Sequence, residues 1–229
     1  MKLLVLDTST EWCSAALWLD GAVRARRELA EQRHSSLLLP MVDSLLKEAG
    51  LSLRNLDGIG YGAGPGSFTG LRIACAVTQG LALGAGLPVA GVSTLESLAA
   101  QTGAERVLTL LDARMAEVYW AAYEREGDDW RALIAPRLAL PESVFVPDGS
   151  GWVGAGNGFA VVGADVQAAM AAKLARLDQT LMPDAAAMAP LAARAFARGE
   201  GSDAADAAPV YLRDKVALTV EERRLRKTA

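Results

Sequence analysis

The hydrophobic period changes once near Ser35, and that change constrains the fold more than any other feature of the chain. Ahead of it, Lys2 to Leu6 is a short apolar run of the kind that forms a buried strand, and Cys13 to Leu19 reads as a second. Asp20-Gly21 between two such runs is a strong hairpin signal, so Ala22 to Leu29 returns as a third strand. Beyond Ser35 the apolar positions Leu37, Leu38, Met41, Val42, Leu45, Leu46 and Ala49 recur at helical spacing, and Gly50 stands where helices stop. Pro40 lacks an amide and is tolerated if it falls within the first turn. Three antiparallel strands followed by a helix define the start of a mixed sheet.

The alternation continues. Leu56 to Tyr61 reads as a strand and runs into the turn Gly62-Ala63-Gly64-Pro65-Gly66. A helix follows over Thr69 to Leu83, then a strand over Pro88 to Val92 and a short helix from Thr94 to Ala100. The order βββαβαβ belongs to the α/β class with mixed sheets. A second strand pair opens the other half. Arg106 to Leu111 is apolar, Asp112-Ala113-Arg114 turns, and Met115 to Tyr123 alternates. Leu133 to Leu140 is a weaker, Pro-rich stretch after the acidic turn Glu126 to Asp129. Val153 and Ala160 to Val162 read as strands around the glycines from Gly154 to Gly158. Helices are expected over Val166 to Leu177 and Ala185 to Arg198, with extended chain from Pro209 to Arg213. The expected division is a lobe of residues 1–102 and a second of 103–229, with the C-terminal segment a candidate to pack back on the first.

Composition limits the chemistry. With one histidine, His34, and two isolated cysteines, Cys13 and Cys75, a His-rich metal site is excluded, and a Ser-His-Asp triad has only His34 to use. The cysteines read as buried reduced thiols. A formal charge of −4 is the opposite of what a protein gripping a nucleic acid by itself carries. Only Arg223-Arg224-Leu225-Arg226-Lys227 is basic, and it reads as a solvated face or tail beside Glu221-Glu222. No uninterrupted apolar run nears the roughly 20 residues of a membrane span, and Asp7 cuts off the N-terminal run, so a cytoplasmic protein is expected.

Two features invite a function. The glycine-rich turn opens a helix and offers backbone amides to a phosphate. It fits neither the Walker pattern nor the dinucleotide pattern, and a tight turn for close helix packing is the competing reading. The helix from Leu71 to Leu83 is apolar nearly all round, so it is covered on more than one side. Together with the stripe on the preceding helix this makes a candidate partner-binding face, assigned to Leu38, Met41, Val42, Leu45, Leu71, Ala74, Cys75 and Thr78. Packing within the chain is the alternative.

Leu4-Val5-Leu6-Asp7-Thr8-Ser9-Thr10, Arg33-His34-Ser35, Leu38-Leu39-Pro40, the run from Gly62 through Gly66-Ser67-Phe68-Thr69-Gly70-Leu71-Arg72, and Gly91-Val92-Ser93-Thr94-Leu95-Glu96 together resemble the TsaB (YeaZ) family. Leu111-Asp112-Ala113-Arg114, Glu117-Val118-Tyr119 and Pro209-Val210-Tyr211-Leu212-Arg213 fit the same family more sparsely. The resemblance implies a two-lobed α/β fold of the actin/Hsp70/hexokinase (ASKHA) type. It also implies a heterodimer with the paralogue TsaD through the helices of the first lobe, in a pathway where TsaE is an ATPase. TsaD transfers a threonylcarbamoyl group to N6 of the tRNA adenosine beside the anticodon, so this chain is expected to meet tRNA indirectly, with no catalytic residue, metal or cofactor of its own. A homodimer through the same helices is compatible when the partner is absent. TsaD-like chains carry a metal-binding H-x-x-x-H where this sequence has Thr94 and Leu98, with Glu96 between, and neither is a ligand for a catalytic metal. Asp7, Thr8, Ser9 and Thr10 correspond to the phosphate-binding hairpin of nucleotide-using relatives, where Asp7 could hold magnesium through water; here they are candidates for a vestigial loop. His34 is read as a structural histidine or a partner contact. The alternatives are a stand-alone nucleotide-dependent kinase or ATPase of this fold and, more remotely, a glycoprotease-like peptidase.

Overall fold

The computed structural model describes residues 1–213. The basic run Arg223 to Lys227 lies outside the described residues. The first sheet is built from β1 (Lys2–Asp7), β2 (Trp12–Leu19), β3 (Ala22–Leu29), β4 (Gly58–Gly64) and β5 (Val89–Ser93), in the order β3-β2-β1-β4-β5. The hairpin at Asp20-Gly21 sets the β2–β3 register, with Leu19 opposite Ala22. The β1–β2 pair is antiparallel, and β1–β4 and β4–β5 are parallel. β1 is apolar without alternation because both of its faces are covered. Leu4 and Leu6 point to one core, and Leu3 and Val5 to another. The edge strand β3 is exposed along its length and carries Arg24, Arg26, Arg27 and Glu28, charges that discourage pairing with another edge.

Helix α1 (His34–Ala49) and helix α2 (Phe68–Ala85) cover the Leu4 face, and helix α3 (Thr94–Gln101) follows β5. Pro40 sits in the interior of α1 rather than in its first turn; its ring is exposed. α2 is 18 residues long with mean hydropathy 1.2, which by length and composition alone would cross a membrane. One side of it is buried, with Leu71, Ala74, Cys75, Thr78 and Ala82 covered and Cys75 and Ala82 within the core of that face.

The second sheet consists of β6 (Arg106–Asp112), β7 (Val118–Glu126), β8 (Asp129–Ala139), β9 (Trp152–Ala155) and β10 (Arg176–Asp178), in the order β10-β9-β6-β7-β8. Read from the other edge, it repeats the first: a three-strand antiparallel meander whose first strand then runs parallel to the next two. Two such units in tandem are the architecture of the actin-like α/β fold. Leu108, Leu110, Val118 and Trp120 face a core closed by Phe159 and by Met170 of helix α4 (Ala164–Ala171). Val107, Leu111, Tyr119 and Ala121 face Leu95 and Leu98 of α3, so α3 is packed between the sheets. Helix α5 (Ala185–Ala197) returns to the first sheet, where Met188, Ala189 and Ala192 meet Leu3 and Val5.

Three expected elements are corrected. β7 begins at Val118 instead of Met115, because Arg114, Met115 and Ala116 take left-handed backbone with φ of 62°, 58° and 60°. Asn157–Ala160 is a 3-10 turn, and Ala160 to Val162 form no strand. The helix expected to reach Leu177 stops at Ala171, since Arg176–Asp178 pair with β9 as an edge strand. Pro209 to Arg213 are without regular structure, and Val210 is tied to the first sheet through the Ala63 carbonyl.

Candidate functional site

A cleft of about 700 Å³ opens between the two sheets. Its first wall is the β1–β2 turn and the start of α2, its second the β6–β7 turn, and Val210 to Arg213 run along its edge. Asp7, Thr8, Ser9 and Thr10 are brought together here with His34 and the glycine-rich turn. Their polar groups are used inside the chain. The Thr8 hydroxyl donates to the Gly70 carbonyl at 2.7 Å, and the Ser67 amide donates to the Ser9 carbonyl at 2.7 Å. The Ser9 hydroxyl and amide both donate to the Asp7 carboxyl, at 3.1 and 3.3 Å. His34 Nε2 bonds the Thr10 carbonyl at 2.8 Å, which makes the single histidine a buried brace between turn and helix.

Asp7 is 0% exposed, enclosed within the turn and bonded by Ser9. Burial drives its pKa up to about 7; the two bonds from Ser9 and the Arg27 charge oppose the rise, and Asp184 adds to it. Between the ordinary carboxylate range and pH 7 the folded chain therefore holds a proton that the unfolded chain has lost. Its stability is highest at the acid end of that window and falls as pH climbs through 7. From pH 5 to pH 8 the loss is expected to be on the order of 2–3 kcal/mol. Asp7→Asn, neutral throughout, should remove that slope in urea unfolding curves. Equal pH slopes in parent and variant would contradict the assignment.

The eight side chains expected to meet a partner are all buried inside the chain. Leu38, Met41, Val42 and Leu45 of α1 and Leu71, Ala74, Cys75 and Thr78 of α2 form the inner faces of their helices. With these side chains covered inside the chain, Cys75 by the Ala207 carbonyl that its thiol bonds, the outer sides of the two helices are the surface left open. The outer side of α2 presents Ile73, Ala76, Val77, Gly80, Leu83 and Gly84 as half-buried or exposed residues, with open space over Gly80 and Gly84. No charged residue occurs from Ile73 to Ala85. Leu39 and Pro40 are exposed on α1.

Thr94 and Leu98 point away from any metal role. The Thr94 hydroxyl donates to the Pro65 carbonyl, and Leu98 lies in the core between α3 and the second sheet. Glu96 is largely buried, which raises its pKa, while Arg194 and Arg198 pull the other way. Among the described residues no three His, Cys, Asp or Glu side chains converge as metal ligands would.

Sequence reasoning missed the residues that close the cleft. Arg72 lies 3.7 Å over the Phe68 ring and donates from Nε to the Tyr211 hydroxyl at 2.8 Å. Arg213 pairs with Glu117 at 2.7 Å beside the left-handed turn. The paired segments are about 100 to 140 positions apart, and nothing local in either announces the other.

Comparison with known proteins agrees with this geometry. Residues 27–219 match the family model described as TsaD, tRNA N6-adenosine threonylcarbamoyltransferase. A tRNA threonylcarbamoyladenosine biosynthesis protein TsaB from Escherichia coli K12 is 42% identical over 237 aligned positions, covering 95% of this chain and 96% of that one. The TsaB of Haemophilus influenzae is 41% identical over 63% of this chain and 66% of its own length. Among solved structures, YeaZ from Pseudomonas aeruginosa has a TM-score of 0.86 at 45% identity, covering 92% of this chain and 99% of that one. A duplicated sheet, a first-lobe helix pair and relatives aligned over nearly their whole length lead to one conclusion: this chain belongs to the TsaB (YeaZ) family.

Proposed function

We propose that the chain serves tRNA threonylcarbamoyladenosine biosynthesis as a non-catalytic subunit, docking the outer faces of α1 and α2 on a TsaD-type transferase. The observation that carries the reading is the uncharged outer stripe of α2 from Ile73 to Ala85, small enough at Ala76, Gly80 and Gly84 for another helix to approach closely. Support comes also from Asp7, whose burial removes the carboxylate that a nucleotide-using relative would present. The lobes of residues 1–102 and 103–229 divide the work in this proposal, the first holding the partner and the second shaping the cleft. A TsaE-type ATPase completes the complex, tRNA is held by the assembly in the cytoplasm, and a homodimer through the same stripe forms when TsaD is lacking.

Ala76→Asp tests the docking face. Ala76 is exposed, so the variant should keep its circular dichroism spectrum and its melting temperature within experimental scatter. Co-purification with the TsaD-type partner of the same organism should drop at least tenfold, because a carboxylate desolvated without a counter-charge costs more than the roughly 1.4 kcal/mol that a factor of ten represents. Undiminished co-purification would place the docking surface elsewhere. Omitting each component from a reconstituted modification assay tests the non-catalytic role: modification by this chain alone would refute it.

A further inference from the structure

We propose that Pro209 to Arg213 form a strap that sets how far the two lobes open, with Arg213 as its catch. The strap is fastened to the first lobe by backbone and ring contacts. The Ala208 amide donates to the Tyr61 hydroxyl at 3.0 Å, and the Val210 amide to the Ala63 carbonyl at 2.7 Å. Tyr211 accepts from Arg72, and its ring lies 5.4 Å from that of Phe68. Two residues later the chain is fastened to the second lobe. Leu212 packs on the core between α3 and the second sheet. Arg213 Nη2 donates to the carbonyls of Ala113 and Arg114 at 2.9 and 3.3 Å and pairs with Glu117 at 2.7 Å. So short a crossing leaves little slack.

The catch is stronger than an ordinary surface pair. The Arg213 side chain is 11% exposed and that of Glu117 27%. A largely covered charge pair of this kind, with two backbone carbonyls taking the same guanidinium nitrogen, outweighs the more exposed tie of Asp129 to Arg194 and Arg198. What it holds is strained. Arg114, Met115 and Ala116 are three successive left-handed residues without a glycine among them, each with its Cβ crowded against the following carbonyl. Backbone of that kind persists only where its surroundings over-determine it. Arg213 supplies the restraint by taking the two carbonyls that the turn directs at it. The strain and the catch hold each other: losing the guanidinium frees the turn to unwind and frees the cleft wall to move away from the first lobe.

The test uses the full chain alone and needs no partner. Nitroxide labels on cysteines replacing the exposed Gln32 of the first lobe and the exposed Glu142 of the second report the separation by pulsed electron paramagnetic resonance. Arg213→Ala should add a longer-distance population that the parent lacks, with the circular dichroism spectrum unchanged. Arg198→Ala, which removes the exposed pairs with Asp129 and Glu200 and leaves the strap untouched, should give the parent distribution. A folded Arg213→Ala chain with the parent distribution overturns the proposal, and so does an equal opening in Arg198→Ala. If Arg213→Ala fails to fold, Glu117→Gln removes the ion pair while keeping the shape of the side chain. It should show the same longer population, and a parent-like distribution there overturns the strap equally.

Discussion

Gly70→Ala is expected to lower the melting temperature by about 6–12 °C, although helix propensity alone favours it. Gly70 is the third residue of α2, and replacing an exposed helical glycine by alanine ordinarily gains about 1 kcal/mol. Here a Cβ would fall inside the van der Waals radius of the Thr8 carbonyl oxygen. Neither partner can step aside. Thr8 is buried in the β1–β2 turn and bonds the Gly70 carbonyl through its hydroxyl, while Ser67 and Ser9 join the same two segments one step away. The obstacle is backbone on both sides, so no rotamer relieves it. Overpacking of this kind costs about 3 kcal/mol, which at this chain length corresponds to the stated shift. Gly80→Ala on the same helix has nothing within 4 Å of the new methyl and should raise the melting temperature by a few degrees. Thermal melts by circular dichroism decide; a Gly70→Ala chain as stable as its parent would show that the turn and the helix are not in contact.

That contact illustrates what a sequence of this kind discloses and what it withholds. Strand and helix identity in the first hundred residues is carried by signals that act within a few positions, such as Asp20-Gly21, the apolar run before Asp7 and Gly50 after α1, and these appear in the structure where they are expected. The phase of α2 is different. A helix apolar on every side has no pattern to say which side faces inward, and only the structure shows that Ile73, Ala76, Val77 and Gly80 lie on the outer side. A turn after Asp112 is legible, but its left-handed backbone from Arg114 to Ala116 has no signature, because such backbone usually announces itself by glycine or asparagine and here a guanidinium about a hundred residues away braces it. α4 ends early for a related reason: its alanines favour helix, but Arg176–Asp178 complete the edge of the second sheet beside β9. Local chemistry wrote the elements; contacts between distant segments wrote the cleft.

Ala74→Asp and Ala76→Asp differ by two positions on one helix and are expected to fail in opposite ways. Ala74 is 0% exposed on the inner side of α2. A carboxylate there has no counter-charge and no water, so it either stays ionised at a large desolvation cost or takes a proton and still lacks room. Either outcome costs about 4 kcal/mol or more, a large part of the 5–15 kcal/mol that stabilises an ordinary domain. The chain should melt at least 10 °C early or fail to accumulate in soluble form, and any loss of partner binding would follow from loss of the fold. Leu38→Asp on α1, also 0% exposed, should behave the same way. Ala76→Asp leaves the interior untouched and should separate binding from folding. The comparison is decisive because it tests the phase of the helix directly: a fully stable Ala74→Asp chain that binds no partner would mean that the face assigned to the interior is the one that meets the proposed partner.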